Sequence, residues 1–213
     1  MVTTVYLIRH GQTDWNKDKI FRGRADVPLN EHGRKEAGAL SAHLEHVRPS
    51  ACYSSPLGRA LETAEIVARP HSLHVRVDDG IIDIDYGEWQ GLPDSEVGHR
   101  FAEMYQRWHE TPQRVRFPGG ESLAMVRRRA LASLDRIRSA HPDVTVFVVA
   151  HRVVTKVMMC AALGLSNAAF WKIRQDNCAF NVIELSEDGA IVGLMNDTCH
   201  MKSAGIAPTL ADF

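Results

Sequence analysis

A chain of 213 residues, 45% hydrophobic and 24% charged, suits one sizeable globular domain spanning 1–213 rather than two comparable ones. Its net charge of -1 excludes a global pull toward nucleic acid or an anionic membrane, so any anion site must be a local concentration of arginine serving a small molecule. Cys52, Cys160, Cys178 and Cys199 form no CxxC pair and three of them sit in apolar runs, which points to buried thiols in a reducing compartment rather than a disulfide framework or a zinc site.

Val5 to Ile8 is a short apolar run that stops at Arg9-His10-Gly11. This is the pattern of a buried strand whose end leaves the sheet through a glycine-bearing turn. In open α/β sheets ligands bind beyond the carboxyl ends of the strands, so Arg9 and His10 are placed for chemistry on an anion. Arginine offers a forked, permanent cation, and imidazole near neutrality is a nucleophile or a proton carrier. The run is interrupted by Arg9 too early for a signal peptide, and no uncharged stretch is long enough to span a bilayer, so a cytoplasmic location is expected.

A polar loop from Lys17 to Leu29 carries Arg22, Gly23 and Arg24 close to this first motif. Asn30 then caps a helix running to about Val47, with Ala37, Leu40, Leu44 and Val47 on one face. Ser50 to Ser54 reads as a second strand. Ser55 as N-cap and Pro56 at the first helical position start the next helix, whose stripe is Leu57, Leu61, Ala64 and Val67. Arg59 falls in the first turn of that helix. Acidic residues usually occupy that place, and a guanidinium there reinforces the anion affinity of the helix N-terminus.

His74 to Val77 is a third candidate strand. In the segment Ile81 to Gly91, carboxylates are threaded among apolar and aromatic residues, and burial beside such groups is what a general acid needs to hold a proton near neutrality. Asp83 and Glu88 are both candidates. Asp94 to His109 is loosely helical, Glu121 to about Ala140 is a long helix, and the consecutive Arg127, Arg128 and Arg129 splay over its faces as solvated or subunit-contact groups. Val144 to Ala150 is the strongest buried strand and ends at His151; a helix follows at once and stops at Gly164. Asn181–Leu185 and Ile191–Met195 form a terminal hairpin around Asp188-Gly189, and about 200–213 is expected to be a mobile tail. His10, Arg59 and His151 thus each leave the end of a separate strand.

In this order and spacing, the run from Leu7 to Asn16, Ser54 to Ala60, Asp83 to Gly91, Gly119 to Ser122 and Val149 to His151 resemble the histidine phosphatase superfamily, the phosphoglycerate mutase-like proteins, over about residues 3 to 200. The resemblance implies an α/β fold of three layers, α/β/α, with a mostly parallel central sheet. It implies a phosphomonoester hydrolase in which His10 accepts the phosphoryl group, Arg9, Arg59 and His151 surround it, and Asn16 adds a donor. The family's acid position falls on Asp83, with Glu88 in reserve. No metal and no cofactor are implied.

The short stretch from Leu92 to Pro118 favours a phosphatase over a phosphoglycerate mutase, since mutases of this family are longer there. Gly119 to Leu123, Phe170-Trp171, Gln175 to Asn177 and Thr198 to His200 resemble the metal-independent phosphoserine phosphatases, whose substrate bears a carboxylate. Arg152 stands where many relatives have glycine, Arg22 where glutamine is common, and Tyr86 where the phosphoserine branch commonly has histidine. The two arginines suit a second anionic group, and the resemblance as a whole implies a binding set of Gly11, Asn16, Arg22, Gly23, Glu88, Arg152 and His200. An α-ribazole phosphatase and a catalytically weak module that binds a phosphometabolite remain alternatives. The expected partner is a small phosphate ester, with no nucleic acid and no membrane, and there is room for a homodimer.

Overall fold

The computed structural model of the chain describes residues 1–207. Strands β1 (Thr3–Arg9), β2 (Pro49–Ser54), β3 (Val75–Val77), β4 (Thr145–Ala150), β5 (Phe180–Ser186) and β6 (Gly189–Asp197) make one sheet in the order β3-β2-β4-β1-β5-β6. The first four of that row run parallel, and β5 and β6 close it as an antiparallel hairpin. The helices are α1 (Asp14–Lys17), α2 (Glu31–Leu44), α3 (Gly58–Ala68), α4 (Asp94–Arg100), α5 (Ala102–Glu110), α6 (Leu123–Ala140), α7 (Arg152–Ala162) and α8 (Cys199–Ser203).

Alternation along the strands divides the core in two. Val5, Leu7, Val146, Val148 and Ala150 point to one face, where Val126, Leu134 and Ile137 of α6 and Val154 and Val157 of α7 cover them. Ile8, Phe147 and Val149 point to the other, under Leu40 of α2, Ala64 and Val67 of α3 and Met201 of α8. Two helical layers therefore sandwich a mostly parallel sheet, and the near-continuous apolar runs of β1 and β4 follow from burial on both faces. Among the described residues no helix is long and apolar enough to cross a membrane.

Register decides what emerges where. Arg9 pairs with Ala150 and Ser54 with Val149, all in parallel strands, so His10, His151 and Ser55 leave the sheet side by side. The backbone confirms it: His10 N–H donates to the Ala150 carbonyl and Ser55 N–H to the Val149 carbonyl.

Two expectations are corrected. The helix after β2 begins at Gly58 rather than Pro56, and Ser55 is not its cap. The tail is ordered at its start: α8 docks on α2, burying His200 and Met201, while residues 208–213 of the expected mobile stretch lie outside the described residues.

Candidate active site

His10 follows β1 and is almost fully buried. Its Nδ1 lies 2.6 Å from the Gly11 carbonyl oxygen. A carbonyl only accepts, so Nδ1 carries the proton and Nε2 holds a lone pair. Gly11 can approach in this way because it lies against α2; a Cβ there would come within 2.6 Å of the Gly33 oxygen. His151, at the start of α7, faces His10 with ring centroids 5.2 Å apart at 58°. Its Nε2 is 2.6 Å from Ser55 Oγ, and its Nδ1 is 3.7 Å from Asp83 Oδ2.

Arg59 lies in the first turn of α3, fully buried, with both terminal nitrogens engaged. Nη1 donates to the Ala25 carbonyl, and Nη2 donates to the Gly23 carbonyl and to Asp83 Oδ2 at 3.1 Å. The loop 22–26 therefore aims Arg59, and Asp26 ties that loop to the start of α3 by accepting Gly58 N–H. Arg9 is anchored by donation from Nη1 to the Gln175 carbonyl. Asn16 uses Oδ1 to cap α1 through Thr13, which leaves its buried Nδ2 without a hydrogen-bond partner.

These groups share one electrostatic environment. Burial holds His10 well below the ordinary imidazole value, reinforced by Arg59, His151 and Arg9. His151 is pushed the same way, by burial and then by Arg59 and Arg22. Arg22 is itself lowered by burial and by its neighbours Arg9, Arg59 and Arg152. Arg9, Arg22, Arg59 and Arg152 thus lie within one another's field around two imidazoles held neutral, with Asp83 against Arg59 and His151, and the pocket's field attracts an anion. Beside them, Arg22, Gly23, Asp83, Tyr86 and Arg152 line one small cleft, in which Arg152 hydrogen-bonds the Tyr86 hydroxyl.

Asp83 is delivered by a clamp that sequence reading misjudged. Arg129 is not a solvated group. It donates to the carbonyls of Gly80, Ile82 and Asp83 and to both oxygens of Glu121, which in turn accepts Asp85 N–H. The segment carrying Asp83 is thereby pinned to α6. Two glycines let it close: a Cβ on Gly87 would sit 1.9 Å from the Pro118 oxygen, and one on Gly120 2.4 Å from the Asp85 oxygen.

Other candidates fall elsewhere. Glu88 is exposed in a single helical turn at Gly87–Trp89, so the reserve acid is not turned inward with Asp83. His200 packs against His43 and Phe180 in the core cluster beneath α2, away from the cleft. Gly11 and Gly23 contribute backbone carbonyls that orient His10 and Arg59. Ser55 and Asn177, which touch His151 and the His10 carbonyl, were not among the sequence candidates. Asn177 donates to the His10 carbonyl at 3.1 Å, and the local Gln175 to Asn177 sequence carried no signal for that role beyond its polarity.

The family model described as "Histidine phosphatase superfamily (branch 1)" matches residues 5–198. "Phosphoserine phosphatase 1" of Hydrogenobacter thermophilus is 38% identical over 195 residues, covering 92% of each chain. "Metal-independent phosphoserine phosphatase" of Arabidopsis thaliana is 30% identical, over 96% of this chain and 85% of the relative. Among solved structures, Bacillus stearothermophilus YhfR superimposes with a TM-score of 0.90 at 32% identity, over 93% of this chain and 99% of that one.

Proposed function

Since the chain belongs to the histidine phosphatase superfamily and is a phosphatase, we propose that it hydrolyses a small phosphomonoester bearing a carboxylate, phosphoserine being representative, through a phosphohistidine on His10. The observation that carries this reading is the His10 ring itself, its proton committed to Gly11 and its Nε2 lone pair set among Arg9, Arg59 and His151.

In the first step Nε2 of His10 forms a bond to phosphorus as the ester P–O bond breaks. Arginine forks, the Asn16 amide and His151 hold the three equatorial oxygens, whose charge is what the protein has to stabilise in phosphoryl transfer. Asp83, within hydrogen-bond reach of the same guanidinium that binds the phosphate, gives a proton to the leaving oxygen. In the second step water attacks phosphorus, Asp83 takes its proton, the P–N bond breaks and phosphate leaves. Splitting the reaction in two lets one carboxyl act first as acid and then as base.

The carboxylate of the substrate is assigned to Arg152, Tyr86 and Arg22, which lie on the cleft wall next to Asp83. A guanidinium supported by a phenol presents paired donors suited to a planar carboxylate. The test is a panel of phosphomonoesters ranked by kcat/KM, with an acid-labile, base-stable radiolabel sought on His10. Esters with a neighbouring carboxylate should lead the ranking, and Arg152→Ala should raise their KM about tenfold or more while leaving nitrophenyl phosphate little changed. A ranking indifferent to the carboxylate would remove the substrate assignment; absence of label during turnover would remove the mechanism.

A further inference from the structure

Glu36 is a buried acid that the proposed chemistry does not use. It projects from α2 toward the turn after β1, where its Oε2 accepts Gln12 N–H at 2.7 Å. The carbonyl of that same Gly11–Gln12 peptide unit accepts Nδ1–H of His10 at 2.6 Å. One planar amide thus carries a carboxylate on its N–H and the nucleophile's ring on its C=O. Amide resonance couples the two ends: negative charge at the N–H shifts electron density to the oxygen, and hydrogen bonds arranged in such a chain polarise one another.

We propose that Glu36 is a positioning residue for His10, acting through the Gly11–Gln12 peptide to hold the proton on Nδ1 and to raise the nucleophilicity of Nε2. The inference rests on His10 being the phosphoryl acceptor. When Nε2 bonds to phosphorus while Nδ1 keeps its proton, the ring becomes cationic. A carboxylate two hydrogen bonds away, in a buried environment, stabilises that charge as it develops.

The relay is built into a rigid junction. Asn30 N–H donates to the Gln12 carbonyl at 3.1 Å and Asn30 Nδ2 to Gln12 Oε1 at 2.9 Å, so the turn is fixed to α2 independently of Glu36. A Cβ on Gly33 would lie 2.2 Å from the Gln12 oxygen, which shows how closely helix and turn approach. The charged and titratable groups around Glu36 are His32 on its own helix, with Nε2 3.4 Å from Oε1, Arg9 from β1, and Asp176 and Cys178 from the segment before β5. Asp176 is itself paired to Arg174 at 2.9 Å. Burial pushes the Glu36 carboxyl up to about 7, against the Gln12 hydrogen bond and Arg9. The strength of the relay therefore changes across the neutral range, the ionised acid giving the stronger one.

Glu36→Gln separates charge from geometry, because an amide oxygen still accepts Gln12 N–H. With nitrophenyl phosphate, the ratio of variant to wild-type kcat/KM should lie near one at about pH 5.5 and fall to about one tenth at about pH 8.5. Inhibition by orthophosphate, a measure of ground-state binding, should change less than twofold. A ratio that does not vary with pH overturns the proposal, as does a loss matched by weakened orthophosphate binding. A second measurement needs no variant: in wild-type protein labelled with [15N]histidine, the His10 resonances should shift through neutrality while the ring stays neutral and protonated at Nδ1. Resonances insensitive to pH in that range overturn the relay. Retained turnover in His10→Ala would instead remove the reading of His10 on which it rests, so the two failures are distinguishable.

Discussion

The imidazoles of His10 and His151 face each other with centroids 5.2 Å apart, one anchored through Nδ1 to the Gly11 carbonyl and the other through Nε2 to Ser55 Oγ. Adjacent parallel strands in register force this, because Arg9 pairs with Ala150 and the next residue of each strand is a histidine. Neither ring can swing away without breaking its anchor.

The first prediction concerns pH. Burial, with Arg59, His151 and Arg9, keeps His10 in its neutral form well below its ordinary 6.5. A lowered pKa in a nucleophilic base preserves activity on the acid side, so in Glu36→Gln, which removes the step that Glu36 adds near neutrality, the acid limb of kcat/KM for an aryl phosphate should lie below pH 6.5. His10→Ala should reduce turnover by about 10³-fold or more. An acid limb at or above 6.5 in that variant would mean that His10 is not the titrating nucleophile.

Asp83→Asn should act on leaving groups unequally. In the proposed mechanism poor alkyl leaving groups take a proton from Asp83, and they should lose about 10²-fold or more in kcat; nitrophenyl phosphate, whose leaving oxygen is stable as an anion, should lose less than about tenfold. The variant also removes the carboxylate that engages Arg59 Nη2 at 3.1 Å, so orthophosphate should inhibit it more strongly than wild type. Equal losses for both classes of ester would assign Asp83 a structural role.

Much of this was readable from sequence, and the rest was not for definable reasons. β1 and β4 announce themselves as apolar runs that stop at a histidine, and Arg59 stands out because a cation in a helix's first turn breaks a local rule. Ser55 was misread because Ser-Pro is a good helix start, yet its hydroxyl meets His151, 96 residues away. Asp83 and Glu88 look alike in sequence; burial separates them. Arg129 is hidden among three consecutive arginines, where nothing local reveals that its fork meets three backbone carbonyls. Glu36 lies between the apolar positions of α2 and finds its partner only across the turn after β1.

The Arg129 clamp yields the third prediction. Arg129→Met keeps much of the side-chain volume but leaves Glu121 without its main partner and three carbonyls without a donor. Breaking a largely buried pair in this way costs about 3–5 kcal/mol. Among molecules that remain folded, the segment bearing Asp83 loosens, so alkyl phosphates should suffer more than nitrophenyl phosphate, as in Asp83→Asn. Arg129→Lys should not restore either property, since an ammonium lacks the planar fork. Denaturant unfolding and the ratio of the two kcat values check both parts; a lysine variant matching wild type in both would refute the clamp.

His200 gives the fourth. Its ring is buried against His43 and Phe180, and burial, with His43 adding to it and Asp197 opposing, lowers it from 6.5 to about 4. The group is neutral in the fold and binds a proton more readily when unfolded. Its contribution is therefore present above pH 6.5 and is lost as pH falls through about 4. A difference of this size corresponds to about 3 kcal/mol at the acid end. His200→Phe retains a ring in the same packing and removes the titration, so its stability relative to wild type should rise by about that amount between pH 7 and 4. Because His200 lies outside the cleft, kcat/KM at pH 7 should stay within about twofold of wild type. Urea denaturation across that range, with turnover of phosphoserine measured alongside, decides it: stability curves that run parallel in pH would exclude the buried neutral histidine, and a large loss of kcat/KM would return His200 to the binding site.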